Sequence, residues 1–155
     1  MTNSLFSLRN ELRADATDEI YVELNPAVVS TDSGRKYALS AVCLGPELEG
    51  DKHGLSLEVS CDGERATLEA VHQQTETTGA SESLTVALFS VSRSFLEILA
   101  AARAVEIGIG NPTVRLSRRL DAENRRNVSR FLNLAAIPRA LASPGLARLA
   151  AGAVA

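Results

Sequence analysis

The stretch LSLEVSCDGERATLEAV, residues 55–71, constrains the fold more than any other part of the chain. Leu55, Leu57, Val59 and Cys61 fall at every second position, the period of a strand with one face inward. Asp62-Gly63 follows at once, and ERATLEAV then resumes an extended pattern. An Asp-Gly pair between two such runs predicts a tight hairpin, because the primed turn needs positive φ at both central residues. The chain must therefore hold an antiparallel sheet.

Further strands are read from the same period. DEIYVEL places Ile20, Val22 and Leu24 on one face, and Pro26, lacking an N–H, is expected to end that strand. STDSGRK reads as a turn, and KYALSAVCL, residues 36–44, is apolar on both faces, as a central strand is. GPELEGDKHG reads as a surface loop, and so does HQQTETTGASES, residues 72–83, which has no apolar side chain larger than Ala. LTVALFSV is a strand. AVEIGIG and TVRLS form a second hairpin around Asn111-Pro112.

Helical spacing appears three times. Leu5, Leu8 and Leu12 predict a helix over residues 5–14. SRSFLEILAAAR predicts a short helix with Ser94 and Glu97 in capping-box register. Asp121 is expected to cap a final helix whose inward stripe is Val128, Phe131, Leu132 and Ala135. These elements predict one α+β domain over residues 1–137: a curved antiparallel sheet of six or seven strands packed by two or three helices. An Ala-rich tail, 138–155, would follow. Its Leu141, Leu146, Leu149 and Val154 need something to lean on, and a second copy of the chain is the expected support.

Composition narrows the function. Hydrophobic residues are 45% and charged residues 23%, which excludes wholesale disorder, and Trp is absent, so the core must be aliphatic. The net charge of −3 is uneven: residues 1–90 carry 15 acids against 6 bases, the remainder 4 against 10. The basic excess gathers in RLSRRLDAENRRNVSRFLNL, residues 115–134. Most of those arginines fall where a solvent face needs polar side chains. With a pI near 5.4 and few aromatics, specific nucleic-acid binding is not expected. If a ligand site exists there, an anion held by Arg118, Arg119, Arg125 and Arg126 is its form.

No catalytic set is recognisable. GIGNP lacks the GxGxxG spacing of a phosphate loop, and GxxxxGK[ST], HExxH and GxSxG do not occur. His53 lies in an acidic loop and His72 at a strand end, and neither has a ligand set, so no metal and no cofactor are expected. Cys43 and Cys61 have no CxxC spacing and read as free buried thiols, with a disulfide between neighbouring strands as the alternative. No run reaches the roughly 20 apolar residues of a membrane span, nor is there a basic-apolar leader. As it stands the sequence reads as cytoplasmic, or exported if a leader has been removed.

The segment from DGERATLEAV through SFLEILAAARAVEIGIGNPTVRLSRRLDAENRRNVSRFL resembles a recurrent, functionally uncharacterised bacterial α+β module. Phe95, Leu96, Leu99, Ala104, Val105, Glu106, Gly110, Leu116, Ser117 and Phe131 carry the resemblance, which spans less than half of the chain. It implies strand, short helix, hairpin and final helix in that order, and no active site. The function expected is a non-enzymatic accessory or protein-interaction module, working with a protein partner or as a homo-oligomer. Small-ligand or anion binding is the alternative.

Overall fold

The computed structural model describes residues 10–12, 20–45, 54–79, 82–111 and 115–136. Its strands are β1 (Glu11–Leu12), β2 (Tyr21–Thr31), β3 (Gly34–Gly45), β4 (Ser56–Cys61), β5 (Glu64–Thr77), β6 (Ser83–Val91), β7 (Val105–Gly110) and β8 (Arg115–Leu120). Two helices join them, α1 (Arg93–Ala101) between β6 and β7 and α2 (Ala122–Ala136) after β8. The spatial order is β1-β2-β3-β6-β5-β4-β7-β8, antiparallel throughout.

The expected α+β class is corrected by this arrangement. Strands account for 62% of the described residues, in eight strands rather than six or seven, and the sheet curls almost into a barrel. Two segments explain the difference. Residues 72–77, expected in a loop, extend β5 and pair with β6 from His72↔Leu88 to Thr77↔Ser83. Their polar side chains do not oppose this, since the ladder uses backbone groups and both faces of this stretch are largely wet. The expected first helix is contradicted where it can be seen. Glu11 and Leu12 pair with Glu23 and Val22, and Leu12 reaches the core from a strand. The rest of that prediction, and the tail 138–155, lie outside the described residues.

Pro26 does not end β2 either; it sits mid-strand opposite Leu39. Leu24 donates its N–H to Asn10 O at 3.1 Å, on the side away from β3. Two residues on, Pro26 lacks an N–H on that same side, where the β3 ladder loses nothing.

β5 joins the two halves of the sheet. Glu64–Glu69 pair with β4, whereas Ala70 and His72–Thr77 pair with β6, and the register shifts at Val71. An extra residue of this kind bends its strand, and here it falls where β5 changes partner. The inward positions alternate faithfully: Val22 and Leu24, Leu39, Ala41 and Cys43, Ala87 and Phe89, Leu57 and Val59, Val105, Ile107 and Ile109, Leu116 and Leu120. Leu96 and Leu99 of α1 and Val128, Phe131 and Leu132 of α2 complete this core. The two helices pack on each other, and α2 also touches β2 and β8.

The Asp-Gly hairpin is as expected, with Asp62 at φ 50° and Gly63 at φ 91°. Asp62 also ties down the chain leaving α1. Its carboxylate accepts from Arg103 N at 3.0 Å and Ala104 N at 2.9 Å, and its own N–H donates to Ala104 O at 2.9 Å. The cap of α1 is corrected by two residues: Ser92, not Ser94, accepts from Phe95 N at 3.0 Å. Glu97 instead pairs with Arg93 Nε at 2.8 Å. Asp121 caps α2 as expected, accepting from Asn124 N at 2.9 Å, and Asn124 returns the bond by accepting from Asp121 N at 3.0 Å.

The ends of the sheet meet at a seam of amides. Asn124 Nδ2 donates to Asn10 Oδ1 and to Glu11 O, each at 2.8 Å. Asn127 Nδ2 reaches the same Asn10 Oδ1 at 3.2 Å, and Asn25 Oδ1 accepts from Asn10 N at 2.8 Å. Asn10 and Asn124 are buried, so these bonds replace water that cannot enter.

Candidate functional site

The four arginines singled out by the sequence do not converge. Alternation along β8 sends Arg115, Ser117 and Arg119 outward and Leu116, Arg118 and Leu120 inward. Arg118 is 4% exposed, and its guanidinium donates to Ser117 O at 2.9 Å and to Ile20 O at 2.8 Å. It holds the start of β2 to β8. Arg119 lies on the opposite face and pairs with Glu106 at 3.1 Å. Arg125, one turn into α2, donates to Leu120 O at 2.6 Å, and Arg126 faces solvent. A shared anion would need donors from both sides of one strand.

The outer surface of the molecule divides into two unlike halves. Over β4, β7 and β8 it is a lattice of ion pairs. Glu58 accepts from Arg115 at 3.2 Å and lies 3.8 Å from Arg65, while Arg119 pairs with Glu106. Arg115 also donates to Ser56 Oγ at 3.2 Å. Gly108 makes room for this: a Cβ there would stand 3.1 Å from Arg115 Cδ, so the arginine stem lies across the bare backbone. Such exposed pairs contribute little each, but they keep this face wetted.

Over β2, β3 and β6 the outer face is aliphatic. The pairs Val42↔Val86 and Leu44↔Leu84 stand side by side, with Leu88 next to Ser40. Ala27 and Ala38 form the next pair on the β2 side, and Val29 stands beside Lys36. Val42, Leu44, Leu84, Val86 and Leu88 are all half-buried, whereas their inward neighbours Ala41, Cys43, Ala87 and Phe89 are buried. A solvated face of an antiparallel sheet ordinarily carries polar residues at such positions. The flanks here do: half-buried Tyr21 and Asn25 with a buried Glu23 between them on β2, and exposed His72, Gln74 and Glu76 on β5. Tyr21 OH and Asn25 Nδ2 both donate to the Glu23 carboxylate, and Gln74 Nε2 donates to Glu76 Oε1 at 2.9 Å. An aliphatic centre inside a polar rim has the anatomy of a protein contact surface.

The arginines dominate the sequence, yet the signal of this face is present in it too. KYALSAVCL and LTVALFSV are apolar at both parities, which demands cover on two sides. The described helices lie with the core and cover only the inner one.

The remaining chemistry is quiet. Among the described residues no group of three or more His, Cys, Asp and Glu is placed to hold a metal ion. Cys43 and Cys61 are free thiols. Burial pushes the Cys43 thiol up to about 11, against the opposing pull of the Arg118 guanidinium. Cys61 is raised as well, by burial first and then by Asp62 and Glu64. It borders a shallow open depression of about 360 Å³ with Ile98, Ala101 and Ala102. No described helix is long and apolar enough to cross a membrane. No family model, curated protein or solved structure matches the chain.

Proposed function

We propose that this protein is a non-enzymatic interaction module whose contact surface is the aliphatic outer face of β2, β3 and β6. One observation carries the reading: two halves of one curled sheet have opposite exteriors, one laced with ion pairs and one aliphatic across the adjacent strands β3 and β6 and onto the Ala27 and Val29 end of β2. Apolar residues scattered singly on a surface need no explanation, but a contiguous patch inside a polar rim does. Five half-buried Val and Leu side chains supply the driving force. Each contributes up to about 1.5–3 kcal/mol on complete burial, less here because part of that area is already removed from water. The backbone beneath belongs to paired strands, so the face is preformed and little ordering opposes association.

A photo-crosslinking residue at position 86, expressed in the source cell, tests this. A discrete protein adduct is expected, lost when Val42→Glu is added and absent when the crosslinker replaces Arg119 instead. An adduct pattern identical at positions 86 and 119, or none at 86, would refute the contact surface.

A further inference from the structure

The aliphatic face is nearly the same when read from either side. Four columns of side chains run along it, from β2, β3, β6 and β5 in that order. The two middle columns repeat each other in register: Leu44 stands beside Leu84, and Val42 beside Val86. The outer columns are polar at the same levels. On the β2 side Tyr21 flanks Leu44 and Glu23 flanks Val42. On the β5 side Glu76 flanks Leu84 and Gln74 flanks Val86.

A surface so arranged is its own complement. A two-fold axis along the strands, midway between β3 and β6, lays Val42 over the partner's Val86 and Leu44 over the partner's Leu84. It also sets Glu23 against the partner's Gln74 and Tyr21 against the partner's Glu76, so no carboxylate of these columns meets another. An axis across the strands at the Val42 level would instead stack Glu23 on its own copy. The strands stay aligned, as in sheet-on-sheet packing with the two sheets about 10 Å apart. The flanks ask nothing of the partner, since Tyr21 and Asn25 already donate to Glu23, and Gln74 donates to Glu76 at 2.9 Å. Association therefore removes aliphatic area from water without stranding a polar group. From Ala38 to Leu44 the face is about 20 Å long, and its four strands span about 19 Å. Two such faces bury on the order of 1,000 Å², the size at which specific interfaces begin, so the dimer is a reversible one.

We propose that the occupant of this face is a second copy of the chain, seated about a two-fold axis parallel to the strands between β3 and β6. This rests on reading the face as a contact surface, and it names the partner. Sedimentation of the full-length protein is expected to show a dimer at high concentration and a monomer on dilution. Val86→Glu places a carboxylate against an apolar partner at two symmetric positions, and should raise the dissociation constant by about tenfold or more. Arg126→Glu, on the exposed side of α2, should leave it unchanged. The geometry is tested separately by a photo-crosslinking residue in place of Gln74, in an equal mixture of isotopically light and heavy chains. Mixed-isotope adducts should map to residues 21–25 of the other copy, a result that stands even if circular dichroism shows Val86→Glu unfolded. Adducts on the partner's β5 would overturn the proposal by turning the axis across the strands. A dimer that folded Val86→Glu leaves intact would overturn it too, since another face must then hold the copies together. So would a chain that stays monomeric at every concentration. In that last case a position-86 adduct with a different protein keeps the contact surface, whereas no adduct at 86 removes both.

Discussion

Ser92 occupies the step from β6 to α1, and its hydroxyl meets the Phe95 N–H that the helix leaves without an internal partner. Ser92→Ala should lower stability by about 1 kcal/mol, whereas Ser94→Ala, inside the helix and exposed, should change it by less than about 0.5 kcal/mol. Chemical denaturation of the two variants checks the assignment. The serine spacing SxSxxE offers both registers, and local sequence does not choose between them. The choice follows from where the β6 ladder ends, at Val91↔Tyr37. Asp62 is a second residue with a measurable signature. Hydrogen bonds from Ala104 N and Arg103 N hold its carboxyl below the ordinary aspartate value. A depressed folded pKa stabilises the native state above the unfolded value, about 3.9, and that contribution disappears as pH falls through the folded one. Asp62→Asn keeps the turn's tolerance for positive φ. It should therefore cost stability at neutral pH and progressively less as acid is added, which denaturation midpoints between pH 7 and pH 3 would follow. Cys43, raised and buried, should resist thiol reagents at pH 8 until the protein unfolds, with Cys61 reacting first. Equal rates in the native state would contradict its placement.

At the scale of elements, legibility depended on whether an element's signal was its own. The Asp62-Gly63 hairpin and the pairing of β7 with β8 could be read directly, because alternation and turn chemistry are local. The inward stripe of α2 and its cap at Asp121 were legible for the same reason. β5 beyond Val71 was not: HQQTET becomes a strand only because β6 offers a backbone partner, and its composition carries no trace of that. β1 was misread since Leu5, Leu8 and Leu12 fit a helical stripe, while Leu12 is held by pairing with β2. Of the arginines, Arg118 was the hardest to place. A cation at an inward position contradicts the usual pattern, and its satisfaction by Ile20 O depends on the curl of the whole sheet. Between elements, Asn124 does the joining. Asn124→Ala would leave Glu11 O without that donor and remove half of the reciprocal cap, for an expected loss of about 1–3 kcal/mol. A loss no greater than that of a surface substitution on α2, such as Arg126→Ala, would mean that water takes over these bonds.

For the molecule as a whole, the division of the exterior follows from β5. Its partner changes at Val71, from β4, which leads to β7 and β8, to β6, which leads to β3 and β2, so each half can carry its own surface chemistry over a common core. The amide seam has a consequence of another kind, in time. Asn10 and Asn124 are 114 positions apart, while the hairpins β2–β3, β4–β5 and β7–β8 each join neighbours in sequence. Joining such distant positions carries a large loop-closure entropy, so contacts across the seam are expected to form after the rate-limiting barrier has been crossed. Interactions absent from the transition state act as a latch: they set how fast the native protein opens and leave the rate of reaching it almost unchanged. In stopped-flow chevrons, Asn124→Ala should therefore raise the unfolding limb and barely move the refolding limb, whereas Val59→Ala in the local β4–β5 hairpin should slow refolding. The lifetime of the closed molecule would then be set by a few amide hydrogen bonds at its seam.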